Sequence, residues 1–257
     1  MRLRVTRAVW SAWLVGIALS LCLLRWSPAS HAQESPSDSV VALLDIGAPP
    51  GHSVFGSGFL ISPDGIVLTN AHVVLETQRD PDRYRLIALW HVEWFSVSLV
   101  CASSSGSDPG PLDLTQTVRA RRDVAEVRLG PALVDRSIEV QGRRWRPHTG
   151  PLATFPYLVF AVRDPGTGQQ VETPAYDFSG VPPTPITKRG RVLDLLEAPD
   201  GTPVIVVRYT TPVEHGESGA PMLDTSANVV GMLTWASAST SADGVGIAQS
   251  ALRTPCP

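Results

Sequence analysis

From Val40 onward the chain is built of short apolar runs separated by Gly, Pro, Asp and Ser. Val40–Ile46, Val54–Ile61, Ile66–Leu68, Arg85–Leu89, Trp94–Val100 and Val124–Leu129 form one series. A second follows in the area of Trp145, then Tyr157–Val162, Gly190–Leu196, Val204–Tyr209, Pro221–Leu223, Val229–Trp235 and Gly244–Ala248. Short β-rich runs with turn signals at such close intervals predict an all-β chain. Ser62-Pro63-Asp64-Gly65 reads as a tight hairpin turn between two of them. Two such series fit two tandem six-stranded antiparallel β-barrels, the first over about residues 39–135 and the second over about 145–250. Helical periodicity is confined to one turn at Ala71–Leu75. Ala102–Thr117 and Asp164–Thr187, rich in Pro, Gly and small polar residues, read as long surface loops, and residues 33–38 as a disordered lead-in.

The N-terminus changes the meaning of the composition. Arg2, Arg4 and Arg7 precede an apolar stretch from Ala8 to Leu24, and Ser30 and Ala32 supply small residues before Gln33. This is the pattern of a cleavable export signal over residues 1–32, leaving 33–257 as the folded part; an uncleaved anchor is the alternative. The signal holds four arginines and no acids, so its removal takes the net charge from −3 to −7. A mildly acidic chain argues against nucleic acid as a partner. With the signal gone, no membrane contact is expected, and the location is periplasmic or extracellular. Cys101 and Cys256 could pair in an oxidising compartment or remain free. No Cys-x-x-Cys or His-Glu-x-x-His spacing is present, so neither a metal nor another cofactor is expected. Only Lys188 is lysine; every other basic residue is arginine. Arg119-Ala120-Arg121-Arg122 and Arg143-Arg144-Trp145-Arg146 read as a solvated face or linker.

The chemistry concentrates in two segments. In Val213-Glu214-His215-Gly216-Glu217-Ser218-Gly219-Ala220-Pro221 a serine lies between glycines, which permit positive φ and close approach of a substrate. In such a loop the amides of Gly216 and Ser218 can both face one spot beside the hydroxyl, where an oxyanion would develop. The same spacing also makes ordinary turns. A serine nucleophile needs a base, and the base an orienting group. His52, His91 and His148 lie in settings without a supporting pattern. His72 instead ends Gly56-Ser57-Gly58-Phe59-Leu60-Ile61-Ser62-Pro63-Asp64-Gly65-Ile66-Val67-Leu68-Thr69-Asn70-Ala71-His72, just past a buried hairpin.

That segment resembles the histidine motif of trypsin-like serine proteases, closest to the HtrA/Deg branch. The Ser218 loop is similar to the nucleophile loop of that family, Val230–Trp235 to its pocket strand, and Gly244–Ala248 to its closing strand. The resemblance implies a serine endopeptidase acting on protein or peptide substrates, with a Ser-His-Asp triad in the cleft between the barrels. Ser218 would be nucleophile, His72 base and then acid, and the amides of Gly216 and Ser218 the oxyanion hole. An Asp is implied between these two, before an apolar strand. Asp123, ahead of Val124–Leu129, fits better than Asp108 or Asp113, which lie in the loose loop. Val213, His215, Leu233, Thr234, Trp235 and Ala236 would bind substrate, giving a small or medium apolar P1 preference, with Pro212 in the pocket wall. Glu217 and Ala220 depart from the residues usual in that loop, and no Ile-Val-Gly-Gly-like start follows the signal. A PDZ module is not expected, since the chain stops at Pro257. A catalytically silent binding protein on the same fold is the alternative function.

Overall fold

The structure, a computed structural model, describes residues 35–46, 55–80, 84–103, 122–140, 143–147, 154–180, 182–236 and 242–254; within these, the side chains of 76, 134–140 and 143–147 are not described. The signal segment, His52, His148, Asp108, Asp113 and Cys256 lie outside the described residues.

The first barrel consists of β1 (Val40–Asp45), β2 (Phe55–Leu60), β3 (Ile66–Thr69), β4 (Leu86–Trp90), β5 (Glu93–Ala102) and β6 (Ala125–Val140). They run in the order β3-β2-β1-β4-β5-β6, and β3 pairs with β6 from Ile66–Arg128 to Thr69–Ala125 to close the ring. The second consists of β8 (Gln170–Asp177), β9 (Thr184–Glu197), β10 (Pro203–Tyr209), β11 (Pro221–Leu223), β12 (Val229–Ala236) and β13 (Asp243–Ala248). It is closed in the order β10-β13-β12-β11-β8-β9. All pairings between these strands are antiparallel, so the chain has the two-barrel, all-β architecture of the chymotrypsin-like fold. Closure pairs the two ends of each strand order, and in the second barrel β8 and β11 join through a single residue pair.

Several sequence expectations shift. The strand near Trp145, read as the opening of the second barrel, is β7 (Arg143–Pro147), which pairs with the end of β6; the second barrel starts at Gln170. Tyr157–Val162 is not a barrel strand but a connector that touches β12 through one bridge, Phe160 to Val229. Asp164–Thr187 is not one long loop, because it contains β8 and the start of β9. Pro174 hid β8, since proline cannot donate to a ladder. It is accommodated because β8 meets β11 only at Glu172–Leu223, leaving its other side unpaired further along. Likewise Pro36–Ser39, inside the expected lead-in, forms a 3-10 turn whose Asp38 carbonyl accepts from Trp90 Nε1 at 2.6 Å.

Each barrel fills with its alternating inward side chains. Leu43, Leu60, Val67 and Leu129 pack the first, and Ile205, Val207, Met222 and Leu233 the second. A further buried cluster joins Ala42, Phe59 and Leu68 with Tyr176, Leu223, Met232 and Ile247, so the two barrels share one apolar seam. Helix α1 (Ala71–Arg79) follows β3 and runs longer than the single turn expected; it buries Ala71, Val73 and Val74 and leaves His72 partly accessible. Helix α2 (Gln249–Leu252) follows β13. Among the described residues no helix is long and apolar enough to cross a membrane.

Candidate active site

His72 is placed by the end of β3 and the first turn of α1, and Asp123 by the residues that lead into β6, the strand paired with β3. That pairing brings two positions 51 apart in sequence into double contact. Asp123 Oδ1 accepts from the backbone N–H of His72 at 2.9 Å, and its Oδ2 lies 2.6 Å from His72 Nδ1. The two side chains are 19% and 6% exposed, so the pair is open on the imidazole side only.

Asn70 locks the frame from beneath. Its Nδ2 donates to the Asp123 carbonyl at 2.8 Å and to Thr234 Oγ1 at 3.0 Å, binding β3, the start of β6 and β12 of the other barrel. Arg122 makes a second tie across the seam. Its amide donates to Asp200 Oδ2 at 3.0 Å, and its guanidinium donates to the Ala251 carbonyl at 3.1 Å. Asp123 is therefore flanked by contacts that reach the second barrel.

The Ser218 loop is held against β2 by two bonds donated from Ser57. Ser57 N–H donates to the Ser218 carbonyl at 2.8 Å, and Ser57 Oγ donates to the Gly216 carbonyl at 2.9 Å while accepting from Tyr176 N–H at 3.1 Å. Thr69 Oγ1 in turn donates to the Ser57 carbonyl at 2.8 Å. Gly219 N–H donates to the Leu233 carbonyl and Leu233 N–H to the Ala220 carbonyl, both at 2.8 Å, which fixes the loop to β12. Two glycines are obligatory here. Gly216 has φ +99°, and a Cβ there would lie 2.3 Å from the Phe178 ring. Gly219 has φ +89°, and its Cβ would lie 2.0 Å from the Ser57 carbonyl oxygen. Phe178 also stacks on Phe55, with ring centroids 4.9 Å apart, and so roofs the loop.

Ser218 is half-buried, and its Oγ donates to the Thr234 carbonyl at 3.1 Å. Among the described residues the amides of Gly216 and Ser218 donate to no protein acceptor, which leaves two N–H groups for a ligand oxygen. Of the other residues expected to contact substrate, Val213 is half-buried, His215 exposed and Ala236 partly accessible. Trp235 is 6% exposed. Thr234 turns its hydroxyl toward Asn70 and the Met232 carbonyl. Leu233 is fully buried in the core of the second barrel, where Val213 packs against the same cluster and the Leu233 side chain lies beside Gly244.

A model of the trypsin-like peptidase domain matches residues 56–232, which carry both segments. The chain belongs to the trypsin-like peptidase domain family. By that membership it is a serine peptidase. Among solved structures, the Rv3671c protease of M. tuberculosis in its active form is 23% identical with a TM-score of 0.58, over 86% of this chain and 80% of that one. The inactive form of the Rv3671c protease is 23% identical with a TM-score of 0.55, over 86% of this chain and 88% of that one. Deg5 is 19% identical with a TM-score of 0.53, over 84% and 86%. Likeness at this identity concerns the fold. No curated protein matches the sequence.

Several residues that hold this candidate site carry no signal in the sequence alone. Ser57 and Asn70 stood inside the histidine motif, the one in Gly-Ser-Gly and the other two residues before His72, yet only the tertiary structure gives them partners. Lys188, the single lysine of the chain, lies buried beside Glu217. Cys101 is disulfide-bonded, its partner lying outside the described residues.

Proposed function

We propose that the chain is an exported endopeptidase in which Ser218, His72 and Asp123 form the catalytic triad. The observation that carries this reading is the double contact of Asp123 with His72, through the ring Nδ1 at 2.6 Å and the backbone amide at 2.9 Å. A carboxylate so placed holds the proton on Nδ1 and leaves Nε2 to act as base. Ser218 Oγ leaves the Thr234 carbonyl, gives its proton to Nε2 and attacks the scissile carbonyl. The oxyanion is met by the amides of Gly216 and Ser218, each such donor contributing about 3 kcal/mol in the transition state. His72 then protonates the leaving amine, and water repeats the sequence on the acyl-enzyme.

The uncharged Val213, Leu233 and Ala236 support a small or medium apolar P1 residue. The Ser218-to-Thr234 bond favours, as the second reading, a silent binding protein in which the hydroxyl never engages the base. Labelling with a fluorophosphonate separates the two. Modification of the wild type but not of Ser218→Ala supports the peptidase; no labelling of either overturns it. A P1-varied peptide library is expected to favour apolar residues, and dominant cleavage after Arg, Lys or Glu would overturn that preference. Export by a cleaved signal is tested by N-terminal sequencing of the secreted form, expected to begin at Gln33.

A further inference from the structure

The chain's one lysine is spent in its interior. Lys188 on β9 is 8% exposed, and its Nζ lies 2.5 Å from Glu217 Oε1, whose residue is 1% exposed. The same ammonium donates to the Pro212 carbonyl. Removing two charges from water is costly, and apolar residues of similar volume commonly stabilise a fold as well or better. Stability alone therefore gives poor reason for this pair.

Its position gives a better one. Glu217 lies between Gly216 and Ser218, and Pro212 stands at the other end of the same segment, ahead of Val213. One ammonium thus holds both ends of the stretch that carries the nucleophile and both oxyanion amides. A compact ammonium with rotatable donors can reach two oxygens on different sides, which the planar fork of the other basic side chains would do poorly. Glu217 Oε2 is buried with no partner among the described residues, and Lys188 supplies the carboxylate's ion pair. Further polar or ionisable groups face the pair: Tyr209 of β10 is hydrogen-bonded to Thr173 Oγ1 at 2.9 Å, and Glu214 in the loop and Asp177 of β8 lie within electrostatic reach.

We propose that Lys188 is a positioning residue of the peptidase, its ammonium fastening Glu217 and the Pro212 carbonyl so that the Gly216 and Ser218 amides face the cleft. This rests on the reading of Ser218 as nucleophile. Burial pushes the Glu217 carboxyl up, against the opposing bond from Lys188. Removing the lysine should therefore damage the loop most at a pH where Glu217 must ionise.

The test uses the full chain as Lys188→Met and as the double variant Lys188→Met/Glu217→Leu, which leaves no uncompensated charge. Fluorophosphonate labelling, the split of kcat and KM, thermal unfolding, and hydrogen exchange of the peptide spanning residues 210–221 are followed together. Lys188→Met should lose about 100-fold in kcat, the scale of one lost oxyanion donor, with the deficit growing as pH rises. The double variant should unfold near the wild-type temperature yet remain about 100-fold slow in labelling, with faster exchange across the loop. Wild-type labelling and exchange in the double variant would overturn the proposal, since the pair would then only compensate charge. A wild type that resists labelling while its loop shows the expected lysine-dependent exchange would instead refute the nucleophile reading and leave the fastening in place.

Discussion

Replacing Asp123 by asparagine tests the site most sharply, because the two residues have the same shape and differ in what they accept. The carboxylate takes one hydrogen bond from His72 N–H at 2.9 Å and faces Nδ1 at 2.6 Å, and it is 4% exposed, so water cannot stand in for either contact. An amide has one oxygen for these two places. With that oxygen toward Nδ1, its NH2 would confront the backbone N–H, leaving a buried donor unpaired at a cost of about 1–3 kcal/mol. The opposite orientation is therefore favoured, and it sets NH2 against Nδ1. Nδ1 must then accept, the ring proton moves to Nε2, and Ser218 has no base. The expected loss is about 10⁴ in kcat, or about 5 kcal/mol in the barrier. Stability should fall only by one charge-assisted bond, about 2 kcal/mol, lowering Tm by about 4–8 °C. Steady-state kinetics on a peptide ester, with thermal unfolding of the same preparation, measures both. A loss below about tenfold in a folded protein would show that Asp123 does not set the tautomer of His72.

Gly219→Ala should destabilise by at least about 3 kcal/mol in urea denaturation, since φ is +89° and the new Cβ would meet the Ser57 carbonyl oxygen at 2.0 Å and Thr69 Oγ1 at 2.6 Å; an unchanged midpoint would contradict the packing of the loop on β2. Ser57→Ala removes the donor to the Gly216 carbonyl and the acceptor of Tyr176 N–H, so about 2 kcal/mol of stability and part of kcat should go together, and loss of stability alone would argue that Ser57 does not set the loop. Burial pushes the Asp200 carboxyl up, but bonds from Thr202 and from the Arg122 amide outweigh it and hold it below 3.8. The stability it contributes is thus present above pH 3.8 and lost as pH falls through the lower folded value, and Asp200→Asn should flatten the acid limb of a stability–pH profile.

Both barrels were legible as apolar runs between turn residues, since alternation against one buried face is a local pattern. The misplacements have local causes too. Pro174 disguised β8, and the run Arg143–Pro147 looked like any other strand although its partner is β6.

His72 and Ser218 stood out by the company they keep in the chain, where glycine, serine and a preceding hairpin constrain the backbone. Asp123 was distinguished by the strand that follows it and by resemblance, and its contact with His72 exists only because β3 pairs with β6. Ser57, Asn70 and Lys188 carry no such local mark. Their partners lie 159, 164 and 29 positions away, at Gly216, Thr234 and Glu217. By itself the sequence determined the strand periodicity and the glycines on which the Ser218 loop turns. The tertiary structure decided which buried polar groups satisfy one another across the seam between barrels, because such bonds depend on closure and packing rather than on spacing along the chain.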